Sequence, residues 1–108
     1  MISTCIIGAS GYTGAELIKL IVHHPLFSLD ACYVSNGSAD SNKPIGSVHP
    51  QLSAQTDLVT IALNPDDLVQ MAEKFDAIFL ATPHEASHDW AAALSGKKAK
   101  IFDLSGAF

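Results

Sequence analysis

At 108 residues the chain has the length of one domain, expected over residues 1–108, and enough surface to bury a modest α/β core. Six lysines, no arginine and eleven acidic residues leave a formal charge of −5, which argues against a nucleic-acid partner, since neutralising phosphates needs a basic face. No basic leader precedes a long apolar stretch, and no apolar run approaches the roughly 18 residues of a membrane span, so a soluble cytoplasmic chain is expected. With 48% hydrophobic residues and a mean hydropathy of +0.26, part of the surface is expected to face another domain or subunit.

Ile2 to Ile7 reads as a short apolar strand, and Gly8-Ala9-Ser10-Gly11-Tyr12-Thr13-Gly14 joins it to an amphipathic run from Ala15 to Val22. Glycine at the three places permits a sharp turn, close approach of a ligand to the backbone, and close packing of the following helix. The amides of Ser10 to Thr13 are then expected to be unpaired first-turn donors, where free N–H groups and the positive end of the helix dipole attract phosphate. The spacing is G-x-x-G-x-x-G rather than the commoner G-x-G-x-x-G, so the motif rests on its strand–turn–helix context, which strengthens it; a glycine turn without a ligand is the alternative.

The helix is expected to bury Leu17, Ile18, Leu20 and Ile21 and to end at His23-His24-Pro25, where the histidines suit the negative end of the dipole. Leu29 to Ser35 reads as the second strand. At its end, 21 positions past Gly14, an NAD site usually has a carboxylate for the ribose 2′-hydroxyl; here stands Ser35. A neutral hydroxyl does not repel a 2′-phosphate, and Lys43 in the next loop is a candidate for supplying charge, so NADP is favoured over NAD, with Asp40 as an opposing charge in the loop. Cys5 and Cys32 lie in apolar runs without metal or disulfide spacing and read as buried reduced thiols.

Asn36 to Ala54, rich in Ser, Gly, Asn and Pro, reads as a functional or mobile loop covering the adenosine end. Leu58 to Leu63 is a third strand candidate. Asn64-Pro65-Asp66-Asp67 then starts a helix that runs to about Lys74 with Leu68, Met71 and Ala72 inward. Ala77 to Ala81 suits a central strand, about Pro83 to Ser95 a further helix closed by Gly96, and Lys100 to Leu104 a fifth strand. Strands alternating with helices predict an α/β, Rossmann-type, doubly wound parallel sheet of about five strands.

His84-Glu85-Ala86-Ser87-His88 matches the zinc-hydrolase pattern H-E-x-x-H literally. Thr82-Pro83-His84-Glu85 is, however, also a capping box with proline at the first helical position, which employs Glu85 structurally. No further histidine follows to complete a zinc site, so no metal is expected. In the usual strand order the ends of the first and fourth strands flank the ligand crevice, which sets Thr82, Pro83 and His84 beside the glycine loop.

Four stretches in order carry a resemblance: G-A-S-G-Y-T-G-A-E-L at Gly8 to Leu17, S-V-H-P-Q-L at Ser47 to Leu52, L-A-T-P-H-E-A-S-H at Leu80 to His88, and F-D-L-S-G-A-F at Phe102 to Phe108. Together they resemble the N-acetyl-γ-glutamyl-phosphate reductase family of arginine biosynthesis. The resemblance implies NADPH-dependent reductive dephosphorylation of an acyl phosphate to a semialdehyde through a cysteine thioester, in a homo-oligomer. It implies a cofactor-binding set of Gly8, Ser10, Gly11, Tyr12, Thr13, Gly14, Ser35, Lys43, Thr82, Pro83, His84 and Ser105. Many members carry a basic residue where this chain has Asn36. The family's nucleophile lies in a G-C-Y-P-T-like motif that these residues do not contain; Cys32-Tyr33 mimics two letters of it inside an expected strand. The resemblance therefore implies a cofactor domain without a catalytic residue, its catalytic and oligomer-forming domain lying outside these residues. Aspartate-semialdehyde dehydrogenase, with similar fold and chemistry, and a non-catalytic nucleotide-binding module are the alternatives.

Overall fold

Ile2–Ile7 forms β1, whose apolar side chains are divided between two clusters, Cys5 and Ile7 on one side and Ile6 on the other. Such a strand is stable only with partners on both edges and cover on both faces, as in a central parallel strand. The computed structural model, which describes residues 1–35, 37–64, 70, 73–81 and 99–104, shows that arrangement. β1 pairs in parallel with β2 (Phe27–Ser35) on one edge and β4 (Ala77–Leu80) on the other. β3 (Ile61–Leu63) extends the sheet beyond β2 and β5 (Lys100–Asp103) beyond β4, giving the order β3-β2-β1-β4-β5, parallel throughout. Chain direction thus diverges at β1, which makes the C-terminal edge between β1 and β4 the crevice of the sheet.

One face carries Cys5, Ile7, Ala31, Tyr33, Leu63, Phe75, Ile78 and Leu80. The other carries Ile6, Cys32 and Val34, covered by the helix α1 (Tyr12–Val22) through Ala15, Leu17, Ile18 and Ile21. Four of the five buried positions of α1 lie at i, i+3, i+4 and i+7 from Gly14, a helical stripe that Ala15 widens. Leu20, expected inside, is instead 64% exposed, because it falls beside that stripe on the row of Tyr12 and Glu16. These three, with Thr13, Leu17 and Leu104, line an open hollow of about 580 Å³. The helix ends as expected at His23, and the structural reading of His24 holds: its Nδ1 accepts the Leu26 N–H at 3.1 Å and its ring packs 4.6 Å from Phe27.

β4 and β5 each end one residue earlier than expected, and two boundaries differ by more. β2 begins at Phe27 rather than Leu29, since Phe27 pairs with Ile2 at the start of β1. β3 is only three residues long, because the preceding Leu58–Thr60 bonds instead to the long segment after β2. Val59 bridges Pro44 antiparallel, and the Ile45 N–H donates to the Leu58 carbonyl at 2.9 Å. Thr60, fully buried, is the peg: its N–H donates to Lys43 O, its carbonyl accepts from Asn42 N–H, and its hydroxyl accepts from Lys43 N–H and donates to Asp40 O.

The segment expected to be a loop is consequently built. It contains the short helix α2 (Ile45–Val48) and a 3₁₀ turn (Pro50–Leu52), both seated by buried apolar residues, Ile45 at 0% and Leu52 at 3% exposure. The expected helix after Asn64 lies mostly outside the described residues, although Glu73 and Lys74 are helical and lead into fully buried Phe75. The expected helix from Pro83 to Ser95 lies wholly outside them. Among the described residues no helix is long and apolar enough to cross a membrane.

Candidate functional site

The turn after β1 can be followed one backbone group at a time. Gly8 has φ +93°, a value that favours glycine, and the N–H groups of Gly8 and Ala9 both donate to the Tyr33 carbonyl of β2, at 2.9 and 3.0 Å. The Gly11 N–H donates back to Gly8 O at 3.3 Å, and Gly11 O accepts the Ala15 N–H at 3.0 Å, the first bond of α1. The N–H groups of Ser10, Tyr12, Thr13 and Gly14 have no acceptor among the described residues. Of the expected free donors, then, only Gly11 is occupied.

A soluble helix usually satisfies its first-turn donors with a capping side chain or a nearby acid. Here the N-cap is Gly11, which has no side chain to offer, and the first turn contains no acid. What is left is a cluster of backbone donors at the positive end of an 11-residue helix, at the C-terminal edge of the sheet. Backbone approach is open at Gly11: among the described residues a Cβ there would meet only Gly8 O, at 3.9 Å. Gly14 serves packing instead, for a Cβ there would lie 2.5 Å from Gly8 O and 2.8 Å from Ala9 Cα.

Over this turn sits a residue to which no role was assigned from sequence. His49, only 8% exposed, places Nε2 2.7 Å from the Ala9 carbonyl. A carbonyl only accepts, so Nε2 carries the proton. Ser10, Gly11, Tyr12, Val48 and His49 together line a cavity of about 350 Å³. The signal was present in the S-V-H-P-Q-L stretch, where a histidine precedes proline between two apolar anchors, but nothing local says which carbonyl it meets.

The other expected site residues fall as follows. Ser35 is exposed at the end of β2, two residues beyond the Tyr33 carbonyl that anchors the glycine turn, so roughly 7 Å along the same edge. Its carbonyl accepts the Ser38 N–H at 3.0 Å, closing a turn through Gly37 at φ +86°. The Lys43 backbone is fixed instead to Thr60, three residues before the Leu63 that pairs with Ser35, an offset of roughly 10 Å along an extended chain. Asp40 is tied to the same threonine. Thr82, Pro83, His84 and Ser105 lie outside the described residues, as does the H-E-x-x-H stretch. The residue before that group, Ala81, does bond Ile7 O through its N–H at 2.8 Å, so β4 ends beside the glycine turn.

Both cysteines are core, as expected. Each is fully buried and free, on opposite faces of the sheet. Burial pushes the Cys32 thiol up to about 12 and the Cys5 thiol still higher, the latter helped by the nearby Cys32 and Asp30 and opposed by Lys74. Neither is a thiolate at neutral pH, so neither is a nucleophile in the folded chain. Iodoacetamide at about pH 8 is expected to label both in urea and neither in the native state. Because both folded values lie above the ordinary 9.0, the stability they contribute is complete below about pH 9 and declines as pH rises toward 12. A denaturation series over that range checks the sign.

Residues 3–108 match the family described as semialdehyde dehydrogenase, NAD binding domain. The whole chain is 59% identical to an N-acetyl-γ-glutamyl-phosphate reductase of Pseudoalteromonas atlantica and 52% identical to one of Alteromonas mediterranea, spanning 32% of each relative's length. Among solved structures, an aspartate semialdehyde dehydrogenase with NADP from Candida albicans superposes with a TM-score of 0.72 at 16% identity, over 99% of this chain and 30% of that one. A probable aspartate-semialdehyde dehydrogenase from Pseudomonas aeruginosa gives 0.70 at 20% identity, over 99% and 29%. These two likenesses show the shared fold.

Proposed function

Since the chain belongs to the semialdehyde dehydrogenase NAD-binding domain family, we propose that it is the cofactor-holding part of an N-acetyl-γ-glutamyl-phosphate reductase and that it binds NADP(H). The observation that carries this reading is the start of α1, where the amides of Ser10, Tyr12, Thr13 and Gly14 have no partner among the described residues, no capping side chain and no acid in the first turn. A pyrophosphate supplies the acceptors this helix start lacks.

In this reading Gly8, Ser10, Gly11, Tyr12, Thr13 and Gly14 hold the pyrophosphate, and Ser35 stands at the adenosine ribose. Its hydroxyl accommodates a 2′-phosphate that a carboxylate would repel. Thr82, Pro83, His84 and Ser105, which follow β4 and β5 in sequence, complete the proposed cofactor-binding set. NADPH supplies the hydride for reduction of an acyl phosphate to an aldehyde. The chain's own contribution is to orient that cofactor on a rigid parallel sheet, since neither of its cysteines reaches solvent to form a thioester. A reducing cytoplasm suits two buried thiols without a disulfide.

Calorimetric titration with NADP and with NAD tests the proposal. NADP is expected to bind more tightly; equal or tighter binding of NAD overturns the assignment of Ser35, and absence of binding by either overturns the cofactor reading itself. The bland alternative, a glycine turn without ligand, predicts the latter outcome.

A further inference from the structure

The segment that carries His49 is fixed more firmly than a cover needs. Ile45 and Leu52, buried at 0% and 3% exposure, seat it in the same cluster as Ala9, Ala15 and Ile18. The His49 backbone is engaged at both ends, its N–H donating to Ile45 O at 2.7 Å and its carbonyl accepting the Leu52 N–H at 2.8 Å. Pro50 follows it and restricts it to extended conformations, consistent with φ −128° and ψ 87°. The imidazole is therefore presented from a rigid mount, and its Nε2–H is aimed at the carbonyl of Ala9.

That carbonyl belongs to the peptide unit whose other polar group is the Ser10 N–H. A peptide unit is planar and trans, so fixing the direction of its C=O fixes the direction of its N–H. Gly8 on one side and Gly11 on the other leave the turn its softest dihedrals, and the tie from Ala9 N–H to Tyr33 O holds only the preceding unit. Among the described residues, the hydrogen bond from His49 is the one restraint on the Ala9–Ser10 unit itself. Without it the unit is free to turn, and the Ser10 donor is aimed correctly only part of the time.

We infer that His49 is a positioning residue for the glycine turn: it locks the Ala9–Ser10 peptide and so pre-aims the Ser10 N–H at the bound pyrophosphate. The inference rests on the proposed binding of NADP at this turn. Affinity falls in proportion to the fraction of molecules in the binding-competent conformation, and losing a buried hydrogen bond is sufficient to cut that fraction about tenfold.

The test compares wild type with His49→Phe, which keeps a ring without the donor, and with His49→Gln, whose amide donor takes the place of Nε2. Two ligands are titrated into each: NADP, and 2′-AMP, which has the 2′-phosphate and adenine but no pyrophosphate. His49→Phe is expected to bind NADP about tenfold more weakly and 2′-AMP unchanged, with His49→Gln restoring NADP affinity to within about threefold of wild type. NADP affinity within twofold of wild type in folded His49→Phe overturns the inference. Equal weakening toward both ligands also overturns it, since that is the mark of a general structural role. Should His49→Phe not fold, His49→Asn, smaller and with its donor too short to reach, replaces it under the same criteria. If wild type binds NADP, failure of the inference leaves the cofactor reading standing; if wild type binds neither ligand, the cofactor reading fails and takes the inference with it.

Discussion

Gly14→Ala lowers the stability of the folded chain by about 3 kcal/mol, seen as a fall in Tm of more than roughly 10 °C. The added Cβ falls 2.5 Å from Gly8 O, 2.8 Å from Ala9 Cα and 2.9 Å from Ala9 C. All three are backbone atoms of the turn that leaves β1, so no side-chain rotation relieves the overlap. The only relief is to move α1 away from the strand, which opens the packing of Ala15 and Ile18 against Ile6 and Ala9. Alanine in a helix gains about 1 kcal/mol over glycine through backbone entropy, and that gain works against the clash without matching it. Thermal and urea denaturation followed by circular dichroism measure the difference. A Tm within about 2 °C of wild type would show that the helix is not held as closely as these distances require.

Gly11→Val gives the opposite pattern three residues earlier in the same motif. Among the described residues its Cβ meets only Gly8 O at 3.9 Å, and the backbone at φ −84°, ψ 175° is extended, a conformation valine favours. Replacing an N-cap glycine by valine costs about 1 kcal/mol, so the fall in Tm stays under roughly 8 °C. Cofactor affinity, in contrast, falls at least about 100-fold, or about 2.8 kcal/mol, because the isopropyl group fills the space beside the amides of Ser10, Tyr12 and Thr13, which have no partner among the described residues. Calorimetry with NADP reads the effect. Undiminished affinity in a folded Gly11→Val chain would place the phosphates away from this turn. The pair of variants thus separates the two uses of glycine in one motif, close packing at Gly14 and close ligand approach at Gly11.

Much of this was decided locally. The continuous apolar runs around Cys5, Cys32 and Ile78 have no polar face, so each is stable only as a strand covered on both sides, and the alternation with helical stretches dictates a parallel sheet. The glycine turn is equally local, since its conformation follows from which residues lack a Cβ, and Gly8 at φ +93° bears that out. The burial of both cysteines was legible for the same reason.

What remained hidden depends on partners far apart in sequence. Leu20 looks like core in a helical count, but whether the edge of a stripe is covered is set by what packs over it, and here nothing described does. The Ser, Gly, Asn and Pro content of Asn36 to Ala54 reads as loop because turns use those residues, yet Thr60 pegs the segment and Ile45 and Leu52 seat it. His49 is the clearest case: a hydrogen bond across 40 residues to Ala9 has no local signature, because composition records which groups seek a partner and only the closed fold settles which one they find.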